Sequence, residues 1–274
     1  MLRSLDSGVS AMQQFQQELD VIGNNIANVN TIGYKDARVD FADALSQTLC
    51  SNGAGGLVQV GDGVVSDAID NNFTQGAISP TGSNTDLAVS GQGFFMVRDP
   101  DTGETFATRA GNFQVDPNGY LVTSTGMRVQ GYSDAGLATV GDIKVDNSGA
   151  PGGSTSGIKS FSFGTDGKLS VTLEDGTAFT RGQVLLQNFR SPQALAKAGN
   201  NLFSNTAAAG PLVQLTVPSS NGTGTIVAGS LEMSNVDLAN EFSQMITAQR
   251  AFQASARVIT TSDEILQELV NLKH

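Results

Sequence analysis

From Ser234 to the end of the 274-residue chain there is neither a proline nor a glycine. Within that stretch Phe242, Met245, Gln249, Phe252, Ala256, Ile259, Asp263, Leu266 and Val270 fall at alternating spacings of three and four, the seam of a paired helix, broken only by Gln249 and Asp263. Ser234 and Asp237 in "SNVDLANEF" read as a capping-box-like start, with Asp in place of the usual Glu. About 38 residues in one helix would extend roughly 57 Å at 1.5 Å per residue, too long for an ordinary element of a small globular domain. The N-terminus carries the same spacing through Leu2, Leu5, Val9, Met12, Gln16, Leu19, Gly23 and Ile26. A helix with a single apolar seam cannot bury it alone. The simplest solution pairs the two ends, parallel or antiparallel, and leaves the overhang of the longer helix for other subunits. The competing arrangement packs both helices on the middle of the chain as core elements.

That middle is punctuated every ten residues or so. "DPDTGE" (99–104), "DPNG" (116–119), "TDG" (165–167) and "EDG" (174–176) are turn signals between β-favouring runs such as "FFMV", "YLVTS", "LSVTL" and "VLLQNF". The expected fold is therefore α+β: terminal helices pairing as a coiled-coil-like core and a central all-β domain. The expected divisions are an N-terminal assembly helix over 1–30, an extended connecting segment over 31–75, a β-rich domain over 76–229 and a C-terminal assembly helix over 230–274. "SNGAGG" (51–56) reads as a flexible joint and 146–157 as a low-complexity loop.

Little in the chain points to chemistry. A net charge of −11 opposes nucleic-acid binding and disfavours anionic lipid. Cys50 is the sole cysteine and His274 the sole histidine, so disulfides, cysteine-based zinc clusters and His-dependent triads are not expected. No run approaches a membrane span, and the N-terminus is too polar for a secretory signal. "GQGFF" (91–95) lacks the third glycine and following helix of a dinucleotide loop. "DPDTGE" lacks the closing Glu of a calcium loop, where Ala110 stands. An adhesin-like, carbohydrate-binding β module would want an aromatic platform, yet the chain has no Trp and three Tyr. No catalytic residue, metal or cofactor is expected.

One cluster needs its own reading. "VIGNNIANVNTIGYK" (21–35) sets Asn24, Asn25, Asn28 and Asn30 directly after the first helix, followed by Gly33 and Tyr34. Asparagine competes for backbone hydrogen bonds and tolerates left-handed geometry. The cluster can therefore be a structural joint or a metal or sugar site, and the joint is the simpler reading. Gly33 permits a sharp turn and Tyr34 an apolar anchor.

The chain resembles the bacterial flagellar axial proteins, the family of rod and hook subunits. The likeness is carried by "NNIANVNTIGYK", by "LAVSGQGFFMV" with "TRAGNFQVDPNGYLVTSTGMRVQGY", and by "SNVDLANEFSQMITAQRAFQASARVI". Within the family, "VDFADAL", "GQVLLQNF" and "SNVDLANEF" are most similar to hook subunits, although the place of the hook's additional outer domain holds only the stretch around "DNSGAPGGSTSG". The resemblance implies a short hook subunit that passes torque from rod to filament, with the distal rod subunit of the basal body as the alternative. It implies a helical homopolymer joined through seams led by Leu5, Val9, Met12, Leu19, Ile26, Phe242, Met245, Phe252, Ile259 and Leu266. It also implies that the asparagine block turns the chain out of the axial core. The implied partners are further copies, neighbouring rod and hook-junction proteins, the hook cap and the flagellar type III export apparatus. Export by that route, without a cleaved signal, implies a location in the hook or basal body.

Overall fold

A computed structural model describes residues 2–51, 57–151, 156–204, 206–211 and 215–272. His274, most of the 51–56 joint and the centre of the 146–157 loop lie outside them. The chain forms two compact units: Met1–Val29 with Asp36–Asn72 and Val236–His274, and Asn30–Lys35 with Phe73–Asn235.

The first unit holds helix α1 (Leu2–Ala27) and helix α2 (Leu238–Asn271). Asp237 caps α2, its carboxylate accepting from the amides of Ala239 and Asn240, so the helix begins at the second residue of the anticipated capping box. The helices run antiparallel. Asn25 meets Glu241 at one end, and a Cβ on Gly8 would stand 3.1 Å from Ile259 at the other. The expected 31–75 connector is largely strand: Ala37–Asp43 pairs antiparallel with Val64–Asn71, and both strands touch α1. Phe15 of α1 meets Phe41 edge to face at 6.2 Å. The pairing register shifts between Asp40 and Phe41, and Phe41 stays partly in solvent.

The helix seam differs by one residue from the apolar periodicity. Glu241, Ala248 and Ser262 are the buried residues of α2, with Ser255 half-buried between them, and Gly8 rather than Val9 is buried on α1. Met245, Phe252, Ile259 and Leu266 are half-buried, whereas Phe242 is 49% exposed and Gln249 and Asp263 face outward. Small side chains let the backbones approach closely, and a bulky residue at those positions would push the helices apart. The serine hydroxyls are satisfied within α2, Ser255 donating to the Ala251 carbonyl and Ser262 to that of Val258.

The second unit is built on an antiparallel sheet. Its order runs Ile158–Phe163, Lys168–Leu173, Ala178–Val184, Arg128–Tyr132, Phe94–Arg98, Thr105–Thr108, Leu202–Ser204 and Ala196–Gly199. Strand Phe94–Arg98 is central because both its faces are covered. Phe95 and Val97 enter a core with Leu87, Phe113, Val129 and Leu186, while Phe94 and Met96 enter a second with Phe189, Leu195 and Phe203. That explains an uninterrupted apolar run in place of alternation. The four turn signals close as expected: Gly103 donates to the Asp99 carbonyl, Gly119 to Asp116, Gly167 to Gly164 and Gly176 to Leu173.

Replacing the buried Ala248 with leucine overpacks the helix unit and should cost about 1–3 kcal/mol. Thermal melting followed by circular dichroism should show the helical signal lost at lower temperature and the β transition unmoved. An unchanged helical transition would place Ala248 outside the contact.

Candidate functional site

The end of α1 shows what the asparagines do. Helix carbonyls at a C-terminus lack intrahelical donors. Asn28 supplies them twice, its backbone amide reaching the Asn24 and Asn25 carbonyls and its Nδ2 the Asn24 carbonyl at 2.9 Å. Its Nδ2 also lies 3.0 Å from Asn24 Oδ1, and both residues stand at the surface side of the turn. Asn25 is buried. Its Oδ1 accepts from the Ala37 amide at 3.1 Å and its Nδ2 donates to the Ala37 carbonyl at 2.8 Å, so the side chain pairs with one residue as a neighbouring strand would. The same Nδ2 lies 3.3 Å from Glu241 Oε1. One amide thus ties α1 to the following strand and to α2. Asn30 is exposed, beyond the helix.

Glu241 is 5% exposed, and its second oxygen has no hydrogen-bond partner among the described residues. Burial pushes its carboxyl above the usual range; the Asn25 amide opposes this, and the negative charges of Asp36 and Asp237 add to it.

In the second unit, residues 30–35 are sewn to the sheet. Gly33 is buried at φ +67° and donates to the Glu232 carbonyl at 2.8 Å, and a Cβ there would lie 2.6 Å from the Ala110 nitrogen. Tyr34 is buried with the Lys197 ammonium 4.6 Å from its ring centroid, and Asn201 donates to the Ile32 carbonyl at 2.6 Å.

Beside them lies a charge cluster that sequence reading missed. Lys35 donates to Glu232 Oε1 at 2.7 Å and to the Thr74 carbonyl at 2.6 Å. Arg109 donates to Glu232 Oε2 at 3.1 Å and to the Gly91 carbonyl at 2.8 Å, while the Gly76 amide donates to Glu232 Oε1 at 3.0 Å. The Lys35 and Glu232 side chains are fully buried and that of Arg109 is 4% exposed. Burial pushes the Arg109 pKa down against the opposing charge of Glu232. Two cations share one carboxylate. Lys35 and Arg109 both fall inside quoted sequence blocks, but their partner is far away along the chain and no spacing rule connects them.

The bulky seam candidates separate into two groups. Leu5, Met12, Leu19 and Ile26 are half-buried, like Met245, Phe252, Ile259 and Leu266, while Val9 and Phe242 are exposed. No helix among the described residues is long and apolar enough to cross a membrane. No group of three or more His, Cys, Asp or Glu among them could hold a metal ion.

Glu232→Gln removes the carboxylate that both buried cations contact and should destabilise the β unit by about 3–5 kcal/mol. Lys35→Met leaves the Arg109 pair balanced and should cost clearly less. Denaturant unfolding of both variants checks the order, and the reverse order would refute the shared-carboxylate account. Glu241 carries a second expectation. A carboxyl whose folded pKa is raised binds more protons folded than unfolded, so its contribution is full below the unfolded pKa and is lost as pH rises through the raised value. The wild-type helix pair should therefore gain stability relative to Glu241→Gln as pH falls through that window, with the variant the more stable at pH above it. Parallel pH–melting curves for the two proteins would contradict this.

Comparison with known proteins matches the same regions. Residues 5–35 match the family described as "Flagella basal body rod protein", residues 88–171 the "Flagellar hook protein FlgE/F/G D1 domain", and residues 227–272 the "Flagellar basal body rod FlgEFG protein C-terminal". The flagellar basal-body rod protein FlgG of Bacillus subtilis is 44% identical over the whole of both chains. That of Caulobacter vibrioides is 36% identical over 99% of this chain and 100% of its own. The flagellar hook protein FlgE of Borreliella burgdorferi is 28% identical, all of both chains being spanned by a 445-residue alignment. Full-length identity of this order, with family matches at both ends and the middle of the chain, shows that the chain belongs to the flagellar rod and hook family, structural axial subunits of the bacterial flagellum and not enzymes.

Proposed function

We propose that this chain is the distal-rod subunit of the flagellar basal body, the drive shaft between motor and hook, in place of the hook subunit that motif likeness put first. The observation carrying this reading is the match, end to end at 44% identity, to a protein named as a basal-body rod component. The hook relative aligns only over 445 residues against this chain's 274, so the alignment carries long gaps. The short connection from strand Val140–Asp142 to strand Ile158–Phe163, where a hook's outer domain would be inserted, supports the same choice.

Rod and hook proteins polymerise and assemble with neighbouring flagellar components. In this reading, copies stack with helical symmetry through heterologous contacts that give an open polymer. The helices form its inner tube. α2 displays the means to do so, because Leu238, Phe242, Ile246, Ile265 and Leu269 are exposed beside its internal seam, as is Val9 on α1. Water contact along that much apolar side chain is relieved when another copy covers it. Neighbouring rod segments and the hook junction would cap the ends of the polymer, and the flagellar export apparatus would deliver the chain.

Antibody labelling of purified hook–basal bodies, read by electron microscopy, should place the signal on the distal part of the straight shaft. Signal along the curved hook would overturn the rod assignment and restore the hook.

A further inference from the structure

The β unit has a cavity that the helical seams do not explain. It measures about 340 Å³ and is lined by Phe73, Phe94, Arg109, Asn188, Phe189 and Arg190, among others. Phe94 is packed edge to face against Phe73 and Phe189 at 5.5 Å each, which makes a firm wall. Arg109 sits 5.1 Å over the Phe94 ring, and its Nε–H has no hydrogen-bond partner among the described residues although it is buried. An unmet buried donor on a cation is costly. Arg109 is therefore presented next to this cavity with a donor unmet, and the exposed Arg190 adds a second basic residue to its lining. An anionic, acceptor-bearing group complements such a wall.

The acceptor is available on the same molecule, at the opposite end of the same hairpin. Strand Phe94–Arg98 begins at the cavity and ends at the turn Asp99–Glu104, roughly 17 Å away at about 3.3 Å per residue. In that turn the Asp99 carboxylate is used internally, accepting from the Asp101 amide and the Thr102 hydroxyl. Asp101 and Glu104 are exposed, and neither makes an ion pair among the described residues. A cation-lined hole and an acidic tip at opposite ends of one rigid hairpin cannot meet within a molecule. They can meet between copies stacked in one direction, which is the heterologous contact of an open polymer.

We propose that the cavity beside Arg109 and Arg190 receives the acidic turn Asp99–Glu104 of a second copy, in a head-to-tail contact between β units. It rests on the polymerisation reading above and adds a polar contact that sets direction and register to the apolar one made by the helices.

Polymerisation of the full chain, measured by sedimentation and electron microscopy, tests it through exposed residues. Arg190→Glu should raise the concentration needed to assemble by at least roughly tenfold, since it sets like charges together. The pair Asp101→Lys with Glu104→Lys should do the same, and the chain carrying all three changes should regain near-normal assembly. Each monomer should melt as the wild type does. A Cys50→Ser chain bearing Arg190→Cys and Asp101→Cys should form disulfide-linked ladders only when polymerised. If charge reversal leaves assembly unchanged while Phe242→Asp abolishes it, helix-driven polymerisation stands and the hairpin contact is wrong. A wild-type chain that fails to polymerise would remove both.

Discussion

The β unit is organised around one carboxylate. Glu232 takes Lys35 and the Gly76 amide on one oxygen, Arg109 on the other, and its own carbonyl accepts from Gly33. The chain passes between the two units after Val29, Lys35, Asn72 and Asn235. Segments flanking these passages are held together on the sheet side, with Met233 donating to the Ala77 carbonyl and Asn235 to Thr74. An apolar cluster of equal volume could match this in stability, because desolvation offsets most of a buried ion pair's attraction. It could not match it in direction. Hydrogen-bonded charges admit one arrangement of the segments on the sheet.

The helical unit solves a different problem. Pairing through Gly8, Ala248, Ser255 and Ser262 brings two backbones close, and it consigns the larger apolar residues to the flanks of the contact. Phe242, Ile246 and Ile265 are left in water as a consequence of that choice. A seam built from leucines would have satisfied the pair internally and left less to bind a neighbour. Asn25 fixes the register at the other end, since its amide matches the two backbone groups of Ala37 and reaches Glu241 of α2 as well. Helix offset, strand position and exposed stripe thus follow from one another.

Much of this was legible in the sequence, for stated reasons. Turn residues have local chemistry, so "DPDTGE" and "DPNG" announced hairpins, whereas Asn24 and Asn25, expected directly after the first helix, lie in its last turn. Helix existence came from a 3–4 spacing maintained over many turns. The seam's true register was hidden because Ser255 and Ser262 are polar and Ala248 is small, while exposed Phe242 counts in favour of the wrong face. The strands Ala37–Asp43 and Val64–Asn71 were lost for want of a nearby partner, the segment between them being long and rich in glycine. The Glu232 cluster was invisible since its members meet only in three dimensions. Motif likeness favoured the hook because the two kinds of subunit share those blocks; end-to-end alignment weighs the rod more heavily.

Charge placement connects both units to solubility. The formal charge of −11 slightly understates the acidity of the surface, because Lys35, Arg109 and Arg181 are buried, against Glu232 and Glu241 among the acids of the described residues. A monomer with apolar helix faces in water would associate without selection if nothing opposed it. Mutual repulsion between acidic surfaces opposes every close approach that leaves carboxylates facing one another. The arrangements that escape the penalty are those that keep acidic turns apart or seat them on a cation. In the polymer proposed above, apolar stripes would supply affinity and charge would remove the wrong geometries.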